Sequence, residues 1–540
     1  MKNNLLKIIL SAVLLAVAWL GDSGLTLLVA LVPLLSVSDS YDGSARSFWK
    51  MAGWTTLLWT LWYVIDVWGV WIAAPVGVVA ALFFGLLYTA TPFMLYHFVS
   101  KRAPKSLAYV VLVAAWITGE HLYNVSQASF PWLNLGNGFA HGFGPRLVQW
   151  YEWTGVYGGT LWVLLTNILV WELVQRPKGQ RRAAALRVAA AIVLPIAVSL
   201  TLYFAYTPSE RTMAVTVVQP NIDSYTEKFT LSQQEQTANL VSLALCAPQN
   251  TELIVMPETA IDEGLIESDQ MRGESIETLR GVLTERFPEA AIIAGATTYR
   301  IYDHEQRPTP TARRRGHGPW YDVFNTALNI DTTQKVGLSH KSKLVIGVEM
   351  MPDWAILRPL YDKIIDLGGT TGQLGRDSER RVFRVGGKAY ATGICYESIY
   401  GEHFAGYVRR GAELMTVITN DGWWGTSPIH RQHFDFSRLR AIETRRSIAR
   451  SANTGISGFI TPLGEVHQTL GWDTRGVLSA VVPVDSRQTF YTMHGDLVVR
   501  IARLLLVLGM LYFVGYSYRR RDLLVDEPTQ KNKSKKKHSK

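Results

Sequence analysis

The sequence predicts an α/β domain mounted on a bundle of membrane-spanning helices. Three observations carry this. Residues 1–206 are crowded with Leu, Val, Ala, Trp and Phe; from residue 213 short β-branched runs alternate with helical segments; and a last apolar run precedes a basic tail. A chain of 540 residues has room for more than one unit, because single cores rarely grow beyond ~250–300 residues. Hydrophobic residues make up 48%, an ordinary share for a soluble protein, so their distribution is what decides.

Crossing a bilayer takes about 20 mostly apolar residues. About eight stretches qualify, at roughly 4–20, 23–38, 52–73, 75–98, 106–123, 156–175, 185–206 and 498–517. The first, with Lys2 and Lys7 near its start, has the charge and apolar run of a signal peptide. Further spans come directly after it and no small-residue cleavage site stands out, so it is read as retained. Positive residues orient the bundle. With the N-terminus in the cytoplasm, the even-numbered gaps are cytoplasmic too, and they hold Arg46 and Lys50, "SKRAPKS", "QRPKGQRR" and "YRRRD". The opposite gaps, "GDS" and the stretch near Ala74, carry no Lys or Arg, and the long gap of 124–155 holds only Arg146. The expected organisation is a seven-helix membrane bundle over 1–206, an extracytoplasmic domain over 207–496, a last span over 497–518 and a basic cytoplasmic tail over 519–540. The tail carries nine Lys or Arg against three Asp or Glu, most of the net charge of +10. That placement points to anionic headgroups and a solvated, disordered anchor, not to nucleic acid.

From residue 213 each element can be justified in turn. "MAVTVVQPNI" alternates as a strand and stops at Pro220; "QQEQTANLVSLALC" has helical apolar spacing. "ELIVMPETA", "AAIIAGATTY" and "AELMTVITND" are apolar runs of the kind buried on both faces. "VFNTALNID" is a further strand, and "VFRVGGKAYATGIC" sets Gly386-Gly387 between two strand-like runs, a hairpin signal. "RQHFDFSRLRAIETRRSIAR" puts Phe436, Leu439 and Ile442 on one helical face, and "TGISGFITP" and "GVLSAVVPV" close the domain as strands. Strands alternating with helices argue α/β layers.

Three strand ends carry ionisable residues: "LIVMPE" ends on Glu258, "GLSHKSKLV" offers Lys341 and Lys343, and "YATGIC" ends on Cys395. A thiol is a weak nucleophile until deprotonated, so it needs a base and a nearby positive charge. Glu258 supplies the one and Lys341 the other, and the lysine also suits an oxyanion. Each residue alone reads as ordinary core or surface; the case lies in the three together. The second cysteine, Cys246, reads as a small buried core residue, with both thiols free. His430 and His433 lie three apart, but zinc wants at least three protein ligands and no matching cluster is evident, so neither metal nor cofactor is expected. Asp66 is a lone acid among the spans, too little for a proton path.

The order of Glu in "MPE", Lys followed by "xxLV" and Cys in "GICYE" resembles the nitrilase superfamily of carbon–nitrogen hydrolases. With the flanking spans, and with "VQPNI", "PWLNLG", "ICYES", "NDGWWG" and "YTMHGD", the chain resembles the membrane-bound branch of that superfamily, the bacterial apolipoprotein N-acyltransferases. The resemblance covers nearly everything except the tail. It implies a four-layer αββα extracytoplasmic domain on about eight transmembrane helices of the bacterial inner membrane, facing the periplasm. It also implies a Glu-Lys-Cys triad of Glu258, Lys341 and Cys395, assisted by Glu349, with Glu397 supporting the turn that holds the cysteine. By the same resemblance Tyr396, Trp423 and Trp424 match positions that line a lipid entrance, and Phe229 is read as the aromatic of a mobile arm. The usual tyrosine before the lysine is Ser339 here, and the usual "LVPFGE" reads "LVIGVE", which leaves Lys343 as a second candidate for the lysine. The implied activity moves an acyl chain from a membrane phospholipid, through a Cys395 thioester, to the amine of a diacylglyceryl-cysteine on an apolipoprotein, in a monomeric enzyme. Two other readings use the same residues differently: a membrane-anchored amidase, and a non-catalytic transporter or scaffold.

Overall fold

Long helices account for most of the first 205 residues, and two β-sheets dominate the chain from residue 212 to residue 483, in a computed structural model that describes residues 2–73, 75–267, 271–350, 352, 373–377 and 379–535. Six described helices are long and apolar enough to cross a membrane. They are Lys2–Leu20, Ala81–Ser100 (within Pro75–Ser100), Lys105–Val125, Val156–Gln175, Lys178–Ala205 and Leu497–Arg520. Two of the eight expected spans differ. The second is broken into Leu27–Ala30 and Val32–Asp39, with Pro33 just inside the second piece, where its missing N–H is harmless. The third, Ala45–Val67, is long enough but carries Arg46, Lys50 and Asp66, and it ends ahead of Gly69. Ala74 and the last five residues of the basic tail lie outside the described residues. Up to Lys535 the tail prolongs the final helix, where composition suggests a disordered chain.

The sheets obey the period of two expected of buried strands. The first has the order β14-β1-β2-β4-β6-β5, with β3 on β4 and β7 on β6. Its strands are β1 Thr212–Gln219, β2 Leu253–Val255, β3 Ile261–Ile266, β4 Ala291–Tyr302, β5 Arg313–Arg314, β6 Trp320–Ile330, β7 Gly337–His340 and β14 Gly476–Pro483. The second runs β13-β12-β11-β10-β9-β8, from β8 Phe383–Val385 and β9 Lys388–Ile394 through β10 Leu414–Thr419, β11 Ile448–Ala452 and β12 Ser457–Ile460 to β13 Val466–Leu470. The centre of each is parallel: β1, β2 and β4 in one, β9, β10 and β11 in the other.

One face of each sheet packs on the other sheet: Val215, Val217, Leu253, Val255 and Ile293 share a core with Ile394, Leu414, Ile418 and Ala449. Their alternates, Val218, Ile254 and Ile292, pack with Leu240, Leu279 and Leu283 of the helices Gln233–Ala244 and Glu274–Arg286. Met415 and Val417 pack with Phe404 and Tyr407 of the helix Gly401–Arg409 and Ala441 of the helix Ile429–Thr444. The expected hairpin is present: Gly386 and Gly387, at φ 52° and 73°, join β8 to β9 through two left-handed residues. "RSIAR", which continues a helical pattern in sequence, is instead strand β11, paired in parallel with β10. Cys246 also departs from expectation. It sits exposed beyond the end of the helix Gln233–Ala244, while both thiols are free as expected.

The sheets meet the membrane helices through polar contacts. Trp132 Nε1 donates to Gln432 Oε1 at 2.6 Å, His141 Nδ1 lies 2.8 Å from Asp435 Oδ2, and the hydroxyls of Ser129 and Tyr400 are 2.7 Å apart. At Gly295 in β4 the neighbouring chain passes so close that a Cβ would sit 2.5 Å from both the Glu258 Cα and the Thr259 nitrogen. Gly295→Ala therefore overpacks the turn that carries Glu258. The expected result is a loss of about 1–3 kcal/mol, read as an earlier unfolding midpoint of the detergent-solubilised protein; an unchanged midpoint contradicts the close approach.

Candidate active site

Each of the three strand ends delivers its side chain to one place. Beyond β2, Glu258 is followed by Thr259 at φ 49°, an unusual conformation for a β-branched residue. Lys341 follows β7, and its N–H donates to the Asn325 carbonyl at 2.8 Å. Cys395 follows β9 and has φ 50°. In β10, next to β9, Asn420 comes directly after the last strand residue, and its N–H donates to Glu258 Oε2 at 3.1 Å. That bond draws the Glu258 loop of the first sheet onto the cysteine end of the second.

The centre is a buried ammonium between two carboxylates. Lys341 Nζ is 2.9 Å from Glu258 Oε1 and 2.8 Å from Glu349 Oε1. Asn325 Nδ2 donates to the same two oxygens, at 2.7 and 3.0 Å, and Glu349 Oε2 accepts from Val345 N at 2.8 Å. Burial opposes the lysine's charge, but the carboxylates of Glu258 and Glu349 hold its ammonium well above the ordinary range. Burial also pushes the Cys395 thiol up; the Glu258 charge adds to this and Lys341 opposes it. The resting group is therefore a neutral thiol beside a carboxylate, and its proton has to leave during attack. This geometry separates the two candidate lysines: Lys341 reaches both carboxylates, whereas the Lys343 ammonium lies over the Tyr400 ring, 4.9 Å from its centroid.

Two buried networks hold the cysteine's turn. Glu397 accepts from Ile394 N at 2.9 Å and from Ser342 N at 2.7 Å, and lies 3.2 Å from His403 Nε2. Against the upward push of burial, the His403 ring and these donors bring the carboxyl down to about 2. His433 Nε2 lies 3.1 Å from the Cys395 carbonyl and 3.0 Å from Ser398 Oγ, while Nδ1 lies 2.8 Å from Asp421 Oδ1. Arg450 Nη2 donates to Asp421 Oδ2 at 2.9 Å. Burial would raise the Asp421 carboxyl, but Arg450 and His433 hold it at about 2. His433 is thus a hydrogen-bonding residue of the site, while His430 packs on the Trp472 ring at 4.4 Å.

The aromatic residues divide into two groups. Tyr396 is buried in the seam with the membrane helices: its hydroxyl donates to the Ser129 carbonyl at 2.9 Å, and its ring lies 6.5 Å from that of Phe130. Trp424 packs edge-on to Trp132 and to His433, at 5.7 and 5.1 Å. Trp423 faces outward with Tyr225, at 5.3 Å, and with the exposed Phe229, at 6.5 Å. Sequence reasoning missed Tyr225, Asn325, Asn420, Asp421 and Arg450. Asn325 left a signal, an amide inside the β-branched run "VFNTALNID". The others acquire partners only across distant segments. Among the described residues no group of three His, Cys, Asp or Glu could hold a metal ion.

Comparison with known proteins places these features in context. Residues 214–491, more than half of the chain, match the carbon–nitrogen hydrolase family, and residues 11–169 match the N-terminal domain of apolipoprotein N-acyltransferase. The apolipoprotein N-acyltransferase of Chlorobaculum tepidum is 29% identical over 88% of this chain and 89% of its own. That of Geobacter metallireducens is 26% identical over 92% of each. A solved Nesterenkonia AN1 amidase of the nitrilase superfamily is 17% identical, covering 52% of this chain and 92% of its own with a TM-score of 0.34.

Carboxylates held at about 2 contribute their full stabilisation above the ordinary carboxylate range and lose it as pH falls from about 4 through about 2. Asp421→Asn is expected to cost roughly 2–4 kcal/mol at pH 7 by stranding Arg450. The difference from the unsubstituted protein should shrink as the pH approaches 2, as measured by denaturation at several pH values. A pH-independent difference contradicts the network.

Proposed function

The chain belongs to the carbon–nitrogen hydrolase family, and from that premise we propose that it is a membrane-embedded N-acyltransferase working through a thioester on Cys395. The observation that carries this reading is the buried Lys341 ammonium between Glu258 and Glu349, beside a neutral thiol, in a chain that is similar to apolipoprotein N-acyltransferases along most of its length. A hydrolase of small amides has no use for the membrane helices that adjoin the cysteine's turn through Ser129 and Tyr400.

In the first half-reaction the Cys395 sulfur attacks the ester carbonyl of a membrane phospholipid while its proton passes to Glu258. Lys341, held protonated, faces the oxyanion. The ester C–O bond then breaks, Glu258 returns the proton to the departing lysophospholipid oxygen, and the acyl group remains on sulfur. In the second half-reaction the amine of the diacylglyceryl-cysteine of an apolipoprotein attacks the thioester. Glu258 takes a proton from the nitrogen, the C–S bond breaks, and the sulfur regains a proton as the amide leaves. Glu349 and Asn325 keep Lys341 and Glu258 in place through both steps, and Glu397 holds the turn. Tyr396, Trp423, Trp424 and Phe229 wall the acyl chain away from water, which protects the thioester between the two steps.

The same reading includes eight membrane crossings, counting the broken second and the polar third, and a four-layer αββα domain facing the periplasm. It keeps the divisions near residues 206, 496 and 518, both termini in the cytoplasm of an inner-membrane protein, and a monomer as the working unit.

Incubation with phospholipid labelled in its acyl chain is expected to leave label on Cys395, absent from Cys395→Ala and reduced about 100-fold or more in rate in Glu258→Gln. Addition of a diacylated lipopeptide should discharge the label as an N-acylated product. Release of the label to water at the same rate without the lipopeptide would identify a hydrolase instead.

A further inference from the structure

Lys343 presents an ammonium without an anion. The side chain is half-buried, and among the described residues it has neither a carboxylate at ion-pair distance nor a hydrogen-bond acceptor; it rests on the face of Tyr400. The nearest carboxylate, Glu397, is occupied by Ile394 N, Ser342 and His403. Other charges near Lys343 are mostly cations. The guanidinium groups of Arg376 and Arg380 lie within electrostatic reach, as does the His121 ring, whose Nδ1 accepts from Arg503 Nη2 at 2.9 Å. Asp496 accepts from the Tyr491 hydroxyl at 2.9 Å through one carboxylate oxygen, and its other oxygen lies 3.8 Å from His121 Nε2. A partly buried ammonium with no acceptor of its own among the described residues is an unfavourable arrangement unless a ligand supplies negative charge. Burial and the Arg380 charge press the Lys343 ammonium below its ordinary range, a penalty that an anion removes.

The position of this ammonium says which anion fits. Lys343 N donates to Glu397, two residues beyond Cys395, at 3.3 Å. Its ring platform, Tyr400, packs on Tyr396 at 5.5 Å and bonds to Ser129 at the top of the membrane helices. His121 is in the last turns of the helix Lys105–Val125, and Arg503 is in the first turns of the helix Leu497–Lys535. The cations therefore descend from the nucleophile's turn to the level where those helices leave the membrane. In the acyl-transfer reading, on which this inference rests, the donor carries one anionic group a few bonds from the ester under attack, its phosphodiester.

We propose that Lys343, backed by Arg376 and Arg503, binds the phosphodiester of the glycerophospholipid donor and so places its ester at Cys395. Lysine offers a compact charge with three donors for phosphate oxygens, and the Tyr400 face keeps it in position. Lys343 thereby selects the donor, while Lys341 serves the chemistry.

The test compares two acyl donors with full-length protein in the same detergent: a phospholipid, and p-nitrophenyl palmitate, an acyl ester without phosphate. For Lys343→Met the ratio of Cys395 acylation rates, phospholipid over p-nitrophenyl palmitate, is expected to fall about tenfold or more. The loss should appear mainly in KM for the phospholipid, with Lys343→Arg recovering most of it. Inorganic phosphate at millimolar concentration should compete weakly with the phospholipid in the unsubstituted protein and not in Lys343→Met. Equal loss on both donors, or an unchanged ratio in a variant with an unchanged melting curve, overturns the phosphate site. Failure of the unsubstituted protein to form an acyl-enzyme from phospholipid is a different result and overturns the acyl-transfer reading itself.

Discussion

A single buried cation organises the site. Lys341 has almost no contact with water and would be costly to bury alone, so two carboxylates converge on it, both also accepting from the Asn325 amide. Two carboxylates against one ammonium leave the cluster with a net negative charge. Burial first, and then the Glu258 charge, keep the neighbouring thiol protonated at rest. In the proposed acyl transfer Glu258 takes the proton, and charge moves from carboxylate to sulfur and then to the oxyanion facing Lys341, with no net charge entering a low-dielectric site.

The backbone that delivers these groups is strained where the chemistry sits. Cys395 and Thr259 are two of the few non-glycine residues with positive φ among those described, a conformation that costs on the order of 1–3 kcal/mol each. Each is held by partners outside its own strand. The Thr259 carbonyl accepts from Lys228 Nζ at 2.6 Å, and the Cys395 carbonyl faces a ring fixed by Asp421 and Arg450.

The seam between the sheets and the membrane helices is polar where helix meets helix and aromatic where the site opens. Ser129, Trp132, His141 and Gln149 all find partners on segments beyond residue 395. The cysteine's turn is thereby tied to the top of the bundle through Tyr396 and Tyr400. Lys343 belongs to the same seam, so the proposed donor contact lies two positions along the chain from Lys341.

Much of this was legible in the residues themselves. Glu258, Lys341 and Cys395 stand out because each ends a buried run, where a charged or reactive side chain needs a reason; the hairpin at Gly386-Gly387 and the alternating strands are local matters of φ and periodicity. Other features were not local. "RSIAR" has the pattern of a helix's last turn and becomes a strand because β10 offers it a parallel partner, and Cys246 is exposed because the helix that should bury it stops before it. Asn325, Asn420, Asp421, His433 and Arg450 are unremarkable polar residues until two sheets face each other and leave their donors and acceptors without water. By itself, then, the sequence determined most of the strands and the long apolar helices and singled out Glu258, Lys341 and Cys395, since side-chain type and spacing settle both. That the Lys341 ammonium meets the carboxylates while that of Lys343 is left over an aromatic ring was decided only by the tertiary structure, because a single residue of chain separates them and only packing sets their directions.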